Sequence, residues 1–172
     1  MPRYLIALLF FGISILSNAQ VTADFTADTT SGCTPVTVTF KDQSTGNIVS
    51  RYWTFGNGNT STKSDPSAIF YKPGTYTITL KVTDDKGEES TKTKTAYIEV
   101  FEIPKADFKP LKTSGCAPLA VPFTNQTKEG SGKIVDVTWD FGDGNTLNTI
   151  SGYHVYKVSG TYSVSMLAID AN

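Results

Sequence analysis

The chain has 172 residues and a formal net charge of −1. That balance excludes the strong positive field that a nucleic-acid backbone partner requires. Hydrophobic residues make up 39% and charged residues 18%, too apolar and too weakly charged for a disordered chain and suited to a globular one.

The first residues, MPRYLIALLFFGISILSNAQ, carry Arg3 ahead of an apolar run from Leu5 to Leu16 and a small-residue Ser17-Asn18-Ala19 site. This is the layout of a secretory signal peptide over residues 1–19. The run is shorter than the ~20 residues a membrane span needs. The mature chain is therefore expected to begin at Gln20 and to be exported, and it carries no later membrane span. Export permits disulfides, and the two cysteines are Cys33 and Cys116.

From Val36 onward the pattern is one of strands. Val36, Val38 and Phe40 alternate with Thr37 and Thr39; Tyr76, Ile78, Leu80 and Val82 alternate with Thr77, Thr79 and Lys81. Period-two alternation means one buried face and one wet face. Thr45-Gly46-Asn47, Asn57-Gly58, Lys72-Pro73-Gly74 and Asp84 to Gly87 supply turns between the runs. A long polar–apolar strand is expected over Glu89 to Phe101, and no amphipathic helix is expected anywhere. Residues 20–103 thus read as an all-β sandwich.

Residues 104–172 repeat that unit. Ala23-Asp24-Phe25 returns as Ala106-Asp107-Phe108, and Ser31-Gly32-Cys33-Thr34-Pro35 as Ser114-Gly115-Cys116-Ala117-Pro118. Trp53-Thr54-Phe55-Gly56-Asn57-Gly58 returns as Trp139-Asp140-Phe141-Gly142-Asp143-Gly144, and Gly74-Thr75-Tyr76 as Gly160-Thr161-Tyr162. The offset is 83 residues at the cysteines and 86 at the tryptophans, so three extra residues fall before Trp139, in the loop around Glu129 to Lys133. Repetition of this kind fixes the architecture as two tandem units. The Phe101 to Lys105 linker is short and holds no Gly or Ser, which predicts restricted bending.

WDFGDG, residues 139–144, poses three readings: metal site, catalytic acid pair or turn. Copy one replaces both acids, with Thr54 and Asn57. An acid/base pair needs both carboxyl groups, and a Ca²⁺ site needs more oxygens than two carboxylates offer. What the copies share is Trp, Phe, Gly and an Asn-Gly or Asp-Gly pair, the dipeptides of a tight hairpin turn with positive φ. The turn reading is preferred, with Asp140 and Asp143 as weak cation candidates. No catalytic residue and no cofactor are expected.

These motifs together resemble the PKD repeat, named for polycystin, over nearly the whole mature chain. Copy two carries Trp139-Asp140-Phe141-Gly142-Asp143-Gly144 with His154-Val155-Tyr156; copy one has Ala68 and Phe70 where the family places His and Tyr. The resemblance implies an Ig-like β-sandwich in each unit. The A-D-F and S-G-C-x-P segments are similar to those of secreted proteins of gliding and polymer-degrading bacteria. The structural residues it marks are Trp53, Phe55, Asn57, Gly58, Tyr76, Trp139, Phe141, Gly142, Gly144, His154 and Tyr162, with Asp140 and Asp143.

His154 is the sole histidine, so a nucleophile triad lacks parts, and a hydrogen-bonding role is expected. Tyr76 and Tyr162 are expected to pin a loop through their hydroxyls, as in a tyrosine corner. Trp53 and Trp139 are expected to fill the cores, exposed carbohydrate stacking being the alternative. Cys33 and Cys116 are repeat equivalents, too far apart in end-to-end units for a bridge, and Cys33 is expected to be a buried small hydrophobe.

Copy one's last strand has no counterpart before Asn172; its place would be about residues 175–187 by the repeat offset. The second unit is therefore expected to lack its last strand and to keep an unpaired edge over Thr161 to Ile169. A longer parent chain with further domains explains this, and acceptance of a partner's strand is the alternative. The expected role is non-catalytic: a spacer or adhesive region that contacts protein or polysaccharide at the cell surface. The alternative is the front end of a secreted hydrolase, a protease or chitinase, with its catalytic domain beyond residue 172.

Overall fold

The computed structural model describes residues 20–172; the expected signal peptide lies outside the described residues. Every regular element among them is a β-strand. The first unit stacks two sheets. One holds β1 (Phe25–Ala27), β3 (Val36–Asp42) and β6 (Ser67–Phe70), in the order β1-β3-β6. The other holds β2 (Ser31–Cys33), β4 (Ile48–Thr54), β5 (Thr60–Ser61), β7 (Gly74–Asp84) and β8 (Glu89–Phe101), in the order β2-β8-β7-β4-β5. Only β2 and β8 pair in parallel.

The alternating threonines explain the layering. Along β7, Ile78, Leu80 and Val82 are fully buried, while Thr79, Lys81 and Thr83 keep partial access to solvent. Val38 and Phe40 do the same on β3. Between the sheets Phe25, Phe40, Trp53 and Phe55 pack ring against ring, with centroids 5.2–6.4 Å apart. Such pairs add about 0.5–1.5 kcal/mol each beyond the area they bury.

The second unit repeats this with β9 (Phe108–Pro110), β10 (Leu119–Asn125) and β13 (Gly152–Tyr156) in one sheet, ordered β13-β10-β9. Its other sheet has β11 (Ile134–Asp140), β12 (Thr146–Asn148) and β14 (Ser165–Asp170), ordered β12-β11-β14. Phe108, Phe123, Trp139 and Phe141 rebuild the aromatic core.

Two stretches that are strand in the first unit, β2 and the start of β7, have no strand equivalent in the second, and one cause accounts for both. Gly74 to Ile78 are paired by β8 alone, since β4 joins β7 only from Thr79 onward. β2 is also held only by β8. Among the described residues of the second unit nothing takes the place of β8. Accordingly residues 160–164 and 114–116 are irregular, and β14 begins at Ser165, the equivalent of Thr79. The edge expected over Thr161 to Ile169 is thus shorter, because its first four residues have no ladder to hold them extended. Leu167 and Ile169 stand on that edge 59% and 45% exposed.

One expectation is overturned: Cys33 is exposed, as is Cys116, and both thiols are free. The reason is strand alternation. On β2 it is Gly32 that faces inward, where an added Cβ would lie 2.8 Å from Val36 Cγ2, so its neighbours Ser31 and Cys33 face out.

Candidate functional site

The WDFGDG segment covers the last two residues of β11 and the start of the loop to β12, and WTFGNG the same places between β4 and β5. Trp53 and Trp139 are fully buried at the ends of β4 and β11, and each indole N–H donates to a backbone carbonyl, Lys63 and Thr149 respectively, at 2.9 Å. The rings are enclosed by core phenylalanines and have no face free for stacking a sugar. Phe55 and Phe141 turn inward immediately after the strands end, and their N–H groups donate to Asn59 and Asn145 carbonyls across the loop.

The loop joins antiparallel strands, β4 to β5 and β11 to β12. Positive φ falls on Gly56 and Gly58, at 71° and 88°, and on Gly142 and Gly144, at 75° and 87°; Asn57 and Asp143 are not in the left-handed region. Asn57 Oδ1 instead accepts from Asn59 N at 3.0 Å, and Asp143 Oδ1 from Asn145 N at 3.2 Å. Each caps its own turn, as short Asx side chains do.

The two copies then tie this loop to the opposite sheet by different chemistry. In copy one the Asn57 amide donates to Ile69 O on β6 at 3.1 Å. Asp143 has no donor to offer, and His154 on β13 supplies it: Nε2 lies 2.7 Å from Asp143 Oδ2. The His154 ring stacks on Phe141 at 4.3 Å with planes 6° apart, and Tyr156 meets its edge at 4.7 Å. The hydrogen bond from His154 is the leading cause that holds the Asp143 carboxyl below its ordinary range, against an opposing push from desolvation. Burial, then the neighbouring Asp143 charge, pushes the Tyr156 phenol up; its hydroxyl donates to Phe141 O at 3.1 Å.

Asp140 is exposed, and its Oδ1 accepts from Gly142 N at 2.9 Å. Both weak cation candidates therefore use carboxylate oxygens in loop bonds. No group of three or more His, Cys, Asp or Glu that could hold a metal ion lies among the described residues. Tyr76 and Tyr162 donate their hydroxyls four residues back, to Lys72 O at 2.7 Å and Val158 O at 2.9 Å.

A second tie escaped the sequence reading. Arg51 Nε lies 2.5 Å from Asp42 Oδ2. Burial pushes the Asp42 carboxyl up, but hydrogen bonds from Ser44 and Arg51 outweigh it and hold it below its usual value. Copy two has Asn125 and Val137 at these places, so the pair leaves no repeat signal to find.

A family model described as PKD domain matches residues 18–100 and 102–172. The pre-pro-metalloprotease PrtV of Vibrio cholerae is 31% identical over 128 residues, which are 74% of this chain and 14% of that protein. A microbial collagenase of Vibrio alginolyticus is 35% identical over 92 residues, 51% of this chain and 11% of the collagenase. The chain thus spans a small part of the length of these relatives. Among solved structures, the PKD1 domain of the Vibrio cholerae metalloprotease PrtV is 38% identical and covers 46% of this chain and 96% of that domain, with a TM-score of 0.41. The PKD1 domain of Vibrio anguillarum Epp is 37% identical and covers 48% and 98%, with a TM-score of 0.42.

Proposed function

Since the chain belongs to the PKD-domain family, with two members in tandem, we propose that it is a non-catalytic β-sandwich region of an exported protein. It spaces or displays neighbouring domains and contacts protein or polysaccharide outside the cell. The observation that carries this is the use of the motif's polar atoms. Asp140, Asp143, His154 and both tryptophan N–H groups are bonded to the fold's own backbone and side chains, and a group so engaged is positioned for folding rather than turnover. Export is supported by the Arg3, Leu5 to Leu16 and Ala19 pattern, and no helix among the described residues is long and apolar enough to cross a membrane.

A second reading, accessory region of a secreted hydrolase, draws support from the metalloprotease and the collagenase among the relatives. Both readings make the same demand of residues 20–172. The purified protein, incubated with casein, gelatin and chitin, should release no product above buffer, and it should be scored for co-sedimentation with insoluble collagen and chitin. Hydrolysis of any of the three would sink both readings; retention on one polymer class would name the surface contacted.

A further inference from the structure

The β13-β10-β9 sheet turns Val121, Phe123 and Tyr156 into the core. Strand alternation puts their neighbours on the outer face, and that face differs between the copies. In the second unit it carries Leu111, Ala120, Pro122, Tyr153 and Val155, with Leu111 65% and Tyr153 57% exposed. The equivalents in the first unit are Asp28, Thr37, Thr39, Ser67 and Ile69. Both sheets hold the same three strands, so the contrast lies in the side chains and not in a missing element.

Tyr153 and Pro122 are direct cross-strand partners, as are Val155 and Ala120. Leu111 N donates to Pro122 O at 2.9 Å, which sets Leu111 on the other side of Pro122. In the first unit the same row is closed by polar bonds. The Thr39 and Ser67 hydroxyls lie 3.1 Å apart, and Asp28 Oδ1 accepts from Thr39 N at 3.0 Å. The apolar row of the second unit is flanked by cations. Lys109 of β9 stands beside Thr124, and Lys157 follows the end of β13. Lys157 shares a groove wall with Val155; Asp143 lines that groove too, with its carboxylate taken up by His154 Nε2 and Asn145 N. Neither Lys109 nor Lys157 makes an ion pair among the described residues.

Size decides the occupant. By ordinary strand spacing and rise the face is about 14 Å wide and about 20 Å long from Lys109 to Lys157. That is roughly 300 Å², well under the ~800 Å² that each partner of a stable protein–protein contact gives up. Two lysines near an anionic lipid surface contribute only about 1 kcal/mol each, too little to hold two domains. A second copy meeting this face symmetrically would bring four lysines together with no acid among them, and like charges in contact disfavour that. A single slender anionic chain fits both the area and the charge.

We propose that this face binds one chain of a carboxylated polysaccharide. A sugar ring lays its C–H face on Tyr153 and Pro122, since an aromatic side chain offers a broad apolar surface. Leu111 and Val155 flank the ring, and Lys109 and Lys157 pair with carboxylates along the chain. The inference rests on the polysaccharide contact proposed above and names its polymer class and its surface.

The test titrates the protein spanning residues 20–172 with a galacturonate hexamer, with cellohexaose as the neutral control. Saturable binding of the galacturonate is expected, weakening as salt rises. Amide shifts should fall on residues 109–111, 120–124 and 153–157, and not on 26–28, 37–41 and 67–71. Tyr153→Ser, which installs the first unit's residue, should weaken binding at least about 10-fold. Lys109→Ala with Lys157→Ala should weaken it and remove most of its salt dependence. These side chains are exposed, so every variant should melt within a few degrees of the unaltered protein. Absence of saturation at millimolar galacturonate, equal affinity for cellohexaose, or an unaffected Tyr153→Ser would each overturn the proposal. Equally tight binding of polyglutamate would assign the face to acidic protein, and co-sedimentation with phosphatidylglycerol vesicles would assign it to a membrane; either would overturn it as well. Hydrolysis of casein, gelatin or chitin would sink the non-catalytic reading whatever binds here, so the two claims fail separately.

Discussion

At the scale of single residues, the loop tie shows what one sequence with an internal repeat reveals. Asn57 comes with Ala68, and Asp143 comes with His154. Position 57/143 changes from a side chain that can donate to one that only accepts, and position 68/154 gains a donor in the same step. The optional carboxylates were legible from WTFGNG against WDFGDG. The pairing was not, because the partners sit 11 residues apart on different sheets, and only the joint change across copies signals it. The pH dependence follows from the depressed Asp143 carboxyl. A folded-state value below the unfolded one gives stability that is complete above the unfolded value, about 3.9, and is lost as pH falls through the folded value. The second unit should therefore lose thermal stability in acid below about pH 4, and Asp143→Asn should flatten that limb. Adding His154→Ala to Asp143→Asn should recover part of the stability lost at neutral pH, because the new amide regains the carbonyl partner that Asn57 uses. A double-mutant cycle followed by calorimetry measures both; a cycle with no coupling would deny the tie.

Among elements, the long strands were the most legible and the loops the least. Glu89 to Phe101 was readable from its polar–apolar pattern, and β8 occupies those residues, although burial is confined to Ile98 and Val100 and the register shifts opposite Tyr76 to Ile78. The loop after each tryptophan was legible as a tight turn from its Asn-Gly or Asp-Gly pair, but the second positive-φ residue, Gly56 or Gly142, was not. Tertiary packing sets the demand at that position. Gly142 passes so close to residues 162–164 that an added Cβ would lie 2.3 Å from Ser163 O, whereas Gly144 faces open space. Both have positive φ, yet their substitutions should differ. Gly144→Ala should cost about 1 kcal/mol from backbone strain alone. Gly142→Ala should cost about 3 kcal/mol, because backbone must move as well; urea unfolding of the two variants ranks them. The same dependence on neighbours governs the edge strand. Thr75 and Tyr76 are paired with β8, whereas their equivalents Thr161 and Tyr162 lie in no ladder. Amide exchange at residues 161–164 should be far faster than at 75–78 under native conditions, and equal protection would contradict the account of β8 as the sole support of this stretch.

For the whole molecule, the decisive feature is the insertion that distinguishes the copies. In copy one the turn between Thr45 and Ile48 is Gly46-Asn47, and Gly46 packs against Val21 at the start of the same unit. Copy two has Glu129 to Lys133 in that place, and the longer loop reaches back to the linker. Glu102 N donates to Ser131 Oγ at 2.7 Å, and Ser131 N donates to Glu102 O at 2.9 Å. Next to it Lys105 and Lys128 exchange backbone bonds at 3.0 Å in both directions. Composition alone gave a stiff linker; the reciprocal bonds add a clasp that sequence could not show, because a loop insertion has length but no periodicity to say where it points. Gly130 makes the clasp possible, since a Cβ there would lie 2.0 Å from Glu102 O. Gly130→Val should therefore push the loop off the linker while leaving both cores intact. Small-angle scattering should then show a broader spread of distances between the units, with both melting transitions kept within a few degrees. Ser131→Ala, which removes one of the two bonds, should broaden it less. If Gly130→Val scatters like the unaltered protein, the angle between the units is set by the linker's own short length, and the inserted residues have no part in it.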